Sequence, residues 1–171
     1  RVINNITASA SMYLIKTIFS VVLSIGMILF GHGYPFKPIQ LTVISACCVG
    51  IPTFFLTYEP NFKRVSGDFL KTVFKNAFPF AFMIAICSTI IVNGGRVLGL
   101  EKEMLSTICV LLTSWCYYNG LRHIYSPLSH YRIFVIYIMQ IVLYISLIVG
   151  HQFLGLGNID YIAAITLMFL V

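Results

Sequence analysis

From Ala8 to the end of the chain, long apolar runs alternate with short polar joints. The runs cover residues 8–30, 38–58, 77–93, 104–120, 131–150 and 159 onward. About twenty apolar residues in α-helix cross the hydrocarbon core of a bilayer. The pattern therefore predicts an all-α fold, a polytopic helical membrane bundle of six transmembrane helices. The joints carry turn chemistry: Gly31-His32-Gly33-Tyr34-Pro35 after the first run, Glu59-Pro60 after the second and Gly94-Gly95 after the third. Residues 1–61 read as a first helix hairpin and residues 62–171 as four further helices of one membrane domain. The chain starts at Arg1 and stops inside an apolar run, so it is expected to be a fragment of a longer protein.

Composition narrows the function classes. Hydrophobic residues make up 59% of the chain and charged residues only 9%, with a mean hydropathy of +0.94. No stretch is left over for a soluble catalytic domain. The net charge of +6 could suggest nucleic acid, but the basic residues cluster at helix ends, which excludes that partner. Their distribution gives an orientation instead. Arg1, Lys63, Arg64, Lys71, Lys75, Arg122 and Arg132 fall on one side, against Lys37, Arg96 and Lys102 on the other. The positive-inside rule places the larger set in the cytoplasm, with the N-terminus cytoplasmic, Asp160 outside and the chain multi-pass in the plasma membrane.

The five cysteines (Cys47, Cys48, Cys87, Cys109 and Cys116) lie within apolar runs and read as small core thiols. The four histidines stand at run ends without metal-ligand spacing, so no metal site is expected.

Polar residues inside the runs are the candidate chemistry. Asn5, Ser9, Lys16, Ser20 and Ser24 fall on one face of the first helix, with Thr17 beside Lys16. Such a stripe must face protein or water rather than acyl chain. Lys16 has two open readings: a group in an ion or proton pathway, or a side chain snorkelling from about two turns inside the helix. In the second run Thr42, Ser45, Cys48 and Pro52 share a face. Pro52 withholds a backbone donor, so the region from Ser45 to Thr53 is expected to be kinked or unwound, freeing carbonyls for a cation or for the Lys16 ammonium. Gln140 is a mid-span amide in need of a partner. Lys16, Thr17, Ser20, Ser45, Cys48, Pro52 and Gln140 are thus the transport-pathway candidates, with no catalytic residue among them.

The sequence resembles a known family along its first third. Arg1-Val2-Ile3-Asn4-Asn5, Tyr13-Leu14-Ile15, Pro38-Ile39-Gln40-Leu41, Gly50-Ile51-Pro52 and Glu59-Pro60-Asn61 resemble the fifth and sixth membrane helices of cation-transporting P-type ATPases. The later runs agree in number with the remaining four helices of a ten-helix pump. The resemblance implies a divergent bacterial type, because the positions matching the family's calcium ligands carry Ile18, Val21, Ser45, Cys48 and Val49. The carboxylates of a hard divalent site are missing there.

What the resemblance implies is the membrane part of an ATP-driven translocase. The phosphorylated D-K-T-G-T motif and the nucleotide-binding domain would lie upstream, so this chain alone is expected to be inactive and to hold no cofactor. ATP and Mg would serve the intact protein. Expected partners are the lipid bilayer, the upstream catalytic domains, the first four helices, and the transported cation, calcium or another divalent. Two alternatives stay open: a stand-alone permease or scaffold subunit without ATPase activity, and a P-type ATPase moving lipid or polyamine.

Overall fold

The computed structural model describes residues 2–59 and 68–157, all helical apart from short joints. In chain order the elements are α1 (Val2–Leu29), α2 (Pro38–Ile44), a π-helical stretch (Ser45–Gly50), α3 (Ile51–Leu56), α4 (Phe69–Val97), α5 (Lys102–Ile124), α6 (His130–Val149) and the single turn α7 (His151–Leu154). The predicted sixth run, with Asp160, Tyr161 and Thr166, lies outside the described residues, as do Arg1, Pro60, Asn61, Lys63 and Arg64.

Four helical segments are long and apolar enough to cross a membrane: Ile3–Leu29, Pro38–Leu56, Phe69–Val97 and His130–Val149. The membrane bundle predicted from the sequence is present, but its helices overrun the apolar runs. α1 and α4 have 28 and 29 residues, each about 42–44 Å long, well beyond a hydrocarbon core of about 30 Å. The former polar joint is helical from Phe69 onward, with Lys71 and Lys75 exposed on its surface.

α5 differs in kind. It is as long as a span but less apolar, and 13 of its 23 residues are buried, among them Ser106, Thr107, Thr113, Ser114, Tyr117 and Tyr118. A helix enclosed by other helices need not present hydrocarbon to lipid, so hydroxyls are tolerated where partners exist. The lipid-facing helices show the reverse, with Val21, Ile25, Ile90 and Ile145 more than half exposed.

Packing of α1 involves more than the second span. α1 makes its most extensive contact with α4 rather than with α2. Its buried stripe Met12, Ile15, Phe19 and Leu23 is at most 1% exposed, and α4 contributes the small residues Ala77, Ala81 and Ala85 at four-residue steps. α1 also touches the second span along the π-helical stretch and α3, while the loop between α1 and α2 is itself packed in. It turns back into the bundle, burying Phe36 edge-on to Phe19 and bringing the Tyr34 hydroxyl 3.4 Å from Ser20 Oγ. Ser20 stands nine residues before the end of α1, so the loop reaches about 13 Å along the helix.

Candidate functional site

The break in the second span is a change of helical register rather than an unwound segment. From Ser45 to Gly50 the backbone is π-helical, and Ile51 N–H reaches back five residues to Ala46 O. The next residue, Pro52, has no N–H to continue that register, so the carbonyl of Cys47 loses its backbone donor. Tyr118 on α5 supplies one: its hydroxyl donates to Cys47 O at 3.3 Å. Thr53 Oγ1 donates to Val49 O at 2.6 Å and to Gly50 O at 3.0 Å. Ser45 Oγ donates to Leu41 O at 2.5 Å. The carbonyls expected to be free for a cation or for Lys16 are thus engaged at Cys47, Val49 and Gly50.

Around this stretch the structure assembles a polar core centred on α5. The Cys48 thiol is fully buried and lies within hydrogen-bonding reach of the Tyr118 and Ser114 hydroxyls. Gln140 on α6 is 3% exposed, and its amide donates to the Tyr144 hydroxyl at 3.3 Å. Tyr144 in turn lies near Cys48. Gln140 Oε1, Thr113 Oγ1 and Tyr117 Oη are buried without a hydrogen-bond partner among the described residues. Asn5 Oδ1 and Ser88 Oγ share this state, and each such buried oxygen is costly in a bundle interior.

The candidates from α1 distribute differently. Ser20 is capped by Tyr34, whose own pKa is pushed up by burial and partly brought back by that bond. Thr17 is exposed and bonds its own backbone at Tyr13 O, so it points away from the core. Lys16 is half-buried beside the Met12–Ile15–Phe19 stripe and makes no hydrogen bond or ion pair among the described residues. Because α1 begins at Val2, Lys16 is its fifteenth residue, about four turns in rather than two. Tyr13, one turn before it, places its hydroxyl close to Gly50 of the π-helical stretch. Tyr13, rather than Lys16, is thus the α1 side chain that reaches the break.

Two features that sequence reasoning missed hold this core at its ends. Gln40 is fully buried; its Oε1 accepts from Lys37 N–H and Ser106 Oγ, and its amide donates to Leu154 O, all at 2.9 Å. Its position as third residue of a helix beginning with Pro38 was the available signal, since such a Gln reaches back to the capping residue. At the opposite end Arg132, 4% exposed, pairs with Glu59 at 3.1 Å and donates to Tyr125 O and Pro127 O. Ser129 Oγ donates to the same Glu59 carboxylate at 2.6 Å. Asn5 donates to Thr57 O at 2.9 Å and Ser9 Oγ lies 3.4 Å from Tyr125 Oη, so α1 joins this latch. Arg132 had entered the sequence reading only as a charge at a helix end.

Among the described residues no three His, Cys, Asp or Glu side chains come close enough together to hold a metal ion. The chemistry on offer is hydroxyl, amide and carbonyl oxygen with one buried thiol.

Comparison with known proteins shows what the chain is similar to. The chain is 32% identical over 144 residues to the probable cation-transporting ATPase exp7 of Streptococcus pneumoniae, covering 80% of this chain and 18% of that protein. It is 29% identical over 129 residues to the calcium-transporting ATPase CtpE of Mycobacterium bovis, covering 66% of this chain and 16% of that protein. The corresponding protein of Mycolicibacterium smegmatis is 28% identical over 125 residues. The chain thus spans less than a fifth of the length of these relatives. No family model and no solved structure matches it. The resemblance read from the sequence holds: most of the chain is similar to cation-transporting ATPases, and its apolar helices fit the C-terminal membrane fragment of a P-type ATPase.

Proposed function

We propose that this chain is the membrane-spanning part of an ATP-driven cation pump and that its π-helical break borders the ion's path. The observation that carries the reading is the match of most of the chain to cation-transporting ATPases. In the intact protein, upstream domains use ATP and Mg to phosphorylate an aspartate, and the resulting movement enters the membrane through α1. The fragment alone performs no hydrolysis. The latch end, with Arg132, Lys71 and Lys75, faces the cytoplasm of a plasma-membrane protein, following the basic asymmetry of the loops.

Calcium is the cation that the relatives' names favour. Calcium takes six to eight oxygen ligands, more than this core provides. Gln140 Oε1, Tyr117 Oη and Thr113 Oγ1 supply neutral oxygens here. On this proposal the remaining ligands come from parts of the intact protein outside this chain. Lys16, midway along α1 and without a partner among the described residues, offers a positive charge that neutralises an emptied site and is displaced when the ion returns.

The test is calcium uptake into proteoliposomes holding the full-length protein, driven by ATP and Mg. Gln140→Leu and Tyr117→Phe should weaken the calcium dependence, and Lys16→Met should shift it while expression stays intact. Unchanged uptake and unchanged ATP hydrolysis in all three variants would overturn the pathway assignment. Absence of cation-stimulated hydrolysis in the wild-type protein would overturn the pump reading itself.

A further inference from the structure

At the end of the bundle away from the latch lies a cavity of about 270 Å³. It is about twenty times the least space, ~15 Å³, that admits one water molecule. Lys37 from the α1–α2 loop, Arg96 from the last turn of α4 and Lys102 from the start of α5 all line it. These are the three basic residues that the loop comparison left on the minority side of the membrane. Three separate elements deliver them to one place.

None of the three makes an ion pair among the described residues, and they outnumber the carboxylates at this end, Glu101 beside Lys102 in the chain and Glu103. Glu103 also lines the cavity but pairs with none of them, the single ion pair among the described residues being Arg132–Glu59 at the other end. Arg96 is aimed by its neighbours: its guanidinium donates to His32 Nδ1 at 2.7 Å, and His32 Nε2 lies 2.9 Å from Asn93 Oδ1. Lys37 Nζ donates to Gly155 O at 3.4 Å. Gly155 has φ +59°, a left-handed conformation that suits glycine, and the Lys37 ammonium lies against it. Val92 and Leu105, both buried, form an apolar wall beside these cations. Cations next to hydrocarbon at the edge of a membrane bundle suit an amphiphilic anion, whose phosphate meets the charges while its chain follows the wall.

We infer that this cavity binds the phosphate headgroup of an anionic phospholipid. The inference stands on the cavity and its charges and is independent of the pump reading. It also assigns a role to Lys37, Arg96 and Lys102, which no transport step requires.

The test uses the full-length protein in detergent, titrated with phosphatidylglycerol or phosphatidylcholine and read by native mass spectrometry. Wild type should retain phosphatidylglycerol in clear preference to phosphatidylcholine. Each basic residue near a headgroup contributes roughly a fivefold factor, so the triple variant Lys37→Gln, Arg96→Gln, Lys102→Gln should bind phosphatidylglycerol about a hundredfold more weakly. The charge-keeping triple variant Lys37→Arg, Arg96→Lys, Lys102→Arg should bind within severalfold of wild type, and Lys71→Gln with Lys75→Gln should change nothing. Equal retention by wild type and the glutamine triple variant would overturn the site. So would an equal loss in the Lys71/Lys75 variant, or loss in the charge-keeping variant. Inorganic phosphate that displaces phosphatidylglycerol at equal concentration would overturn the lipid as its occupant.

Discussion

Replacing Tyr118 with Phe removes the one hydroxyl that reaches the Cys47 carbonyl, and the surrounding geometry says what this should cost. In the π register the donor owed to Cys47 would come from residue 52, which is proline. Loss of the Tyr118 bond leaves a buried carbonyl with no replacement nearby, an expense of about 1–3 kcal/mol in soluble proteins. The bond is long, at 3.3 Å, and interhelical hydrogen bonds in membrane proteins average nearer 0.6 kcal/mol. We therefore expect Tyr118→Phe to destabilise the protein by about 1 kcal/mol. The decisive measurement is the double-mutant cycle with Pro52→Ala. Alanine restores an N–H at position 52, and a backbone donor then reaches Cys47 O in either register. If the helix keeps its π form, the restored N–H supplies the bond; if it returns to α, Ile51 N–H does. In the Pro52→Ala background Tyr118→Phe should cost almost nothing, giving a coupling of about 1 kcal/mol. Reversible unfolding of the full-length protein in mixed micelles would measure all four corners. A coupling below about 0.3 kcal/mol, the noise of independent sites, would refute the claim that Tyr118 stands in for the missing donor.

Three further outcomes follow from the same structure. Gln40→Ala leaves two donors and one acceptor without their buried partner, so unfolding should become easier by about 3 kcal/mol at roughly 1 kcal/mol per bond. Glu59→Ala strips the buried Arg132 of its carboxylate; Arg132 keeps two carbonyls and Glu59 is 28% exposed, so the cost in the same assay should be about 2 kcal/mol rather than the 3–5 of a fully buried pair. For orientation, Gly33→Cys should react with a membrane-impermeant maleimide added to intact cells, since nothing stands within 4 Å of that position, while Lys71→Cys should not; the opposite labelling would reverse the topology.

Helices were legible because lipid demands long apolar runs, and the runs lay in plain view. Their ends were not. Residues 2–7 and 69–76 are polar enough to read as joints, yet they continue α1 and α4 because helix propagation beyond the hydrocarbon costs little. The irregularity at Ser45–Thr53 was anticipated from Pro52, but its form depended on Tyr118, which is distant in sequence. α5 showed the limit most clearly. Its hydroxyls looked like isolated packing groups along the chain, and only the fold reveals that Ser114, Tyr117 and Tyr118 converge on Cys48. Arg132 was misleading for the opposite reason. A basic residue at a helix start reads as an interfacial anchor, whereas here Glu59 draws it into the protein.

Three hydrogen bonds tie side chains of α1 to residues outside it, two in its first third and one in its second half. Asn5 and Ser9 tie its first turns to Thr57 and Tyr125, and Ser20 meets Tyr34, at 2.9, 3.4 and 3.4 Å respectively. At roughly 0.6–1 kcal/mol each, breaking all three costs about 2–3 kcal/mol, a bias of tens-fold to about a hundredfold. The rest of the helix rides on apolar contact with α4, a surface of small side chains that permits sliding without stranding polar groups. An upstream event that favours a shifted α1 by about 5.5 kcal/mol would reverse such an equilibrium almost completely. Lys16 lies between the two sets of ties and has no bond of its own to break among the described residues. Movement of α1 would carry its charge along the bundle at little local cost, because the Lys16 side chain has no hydrogen bond or ion pair among the described residues to give up.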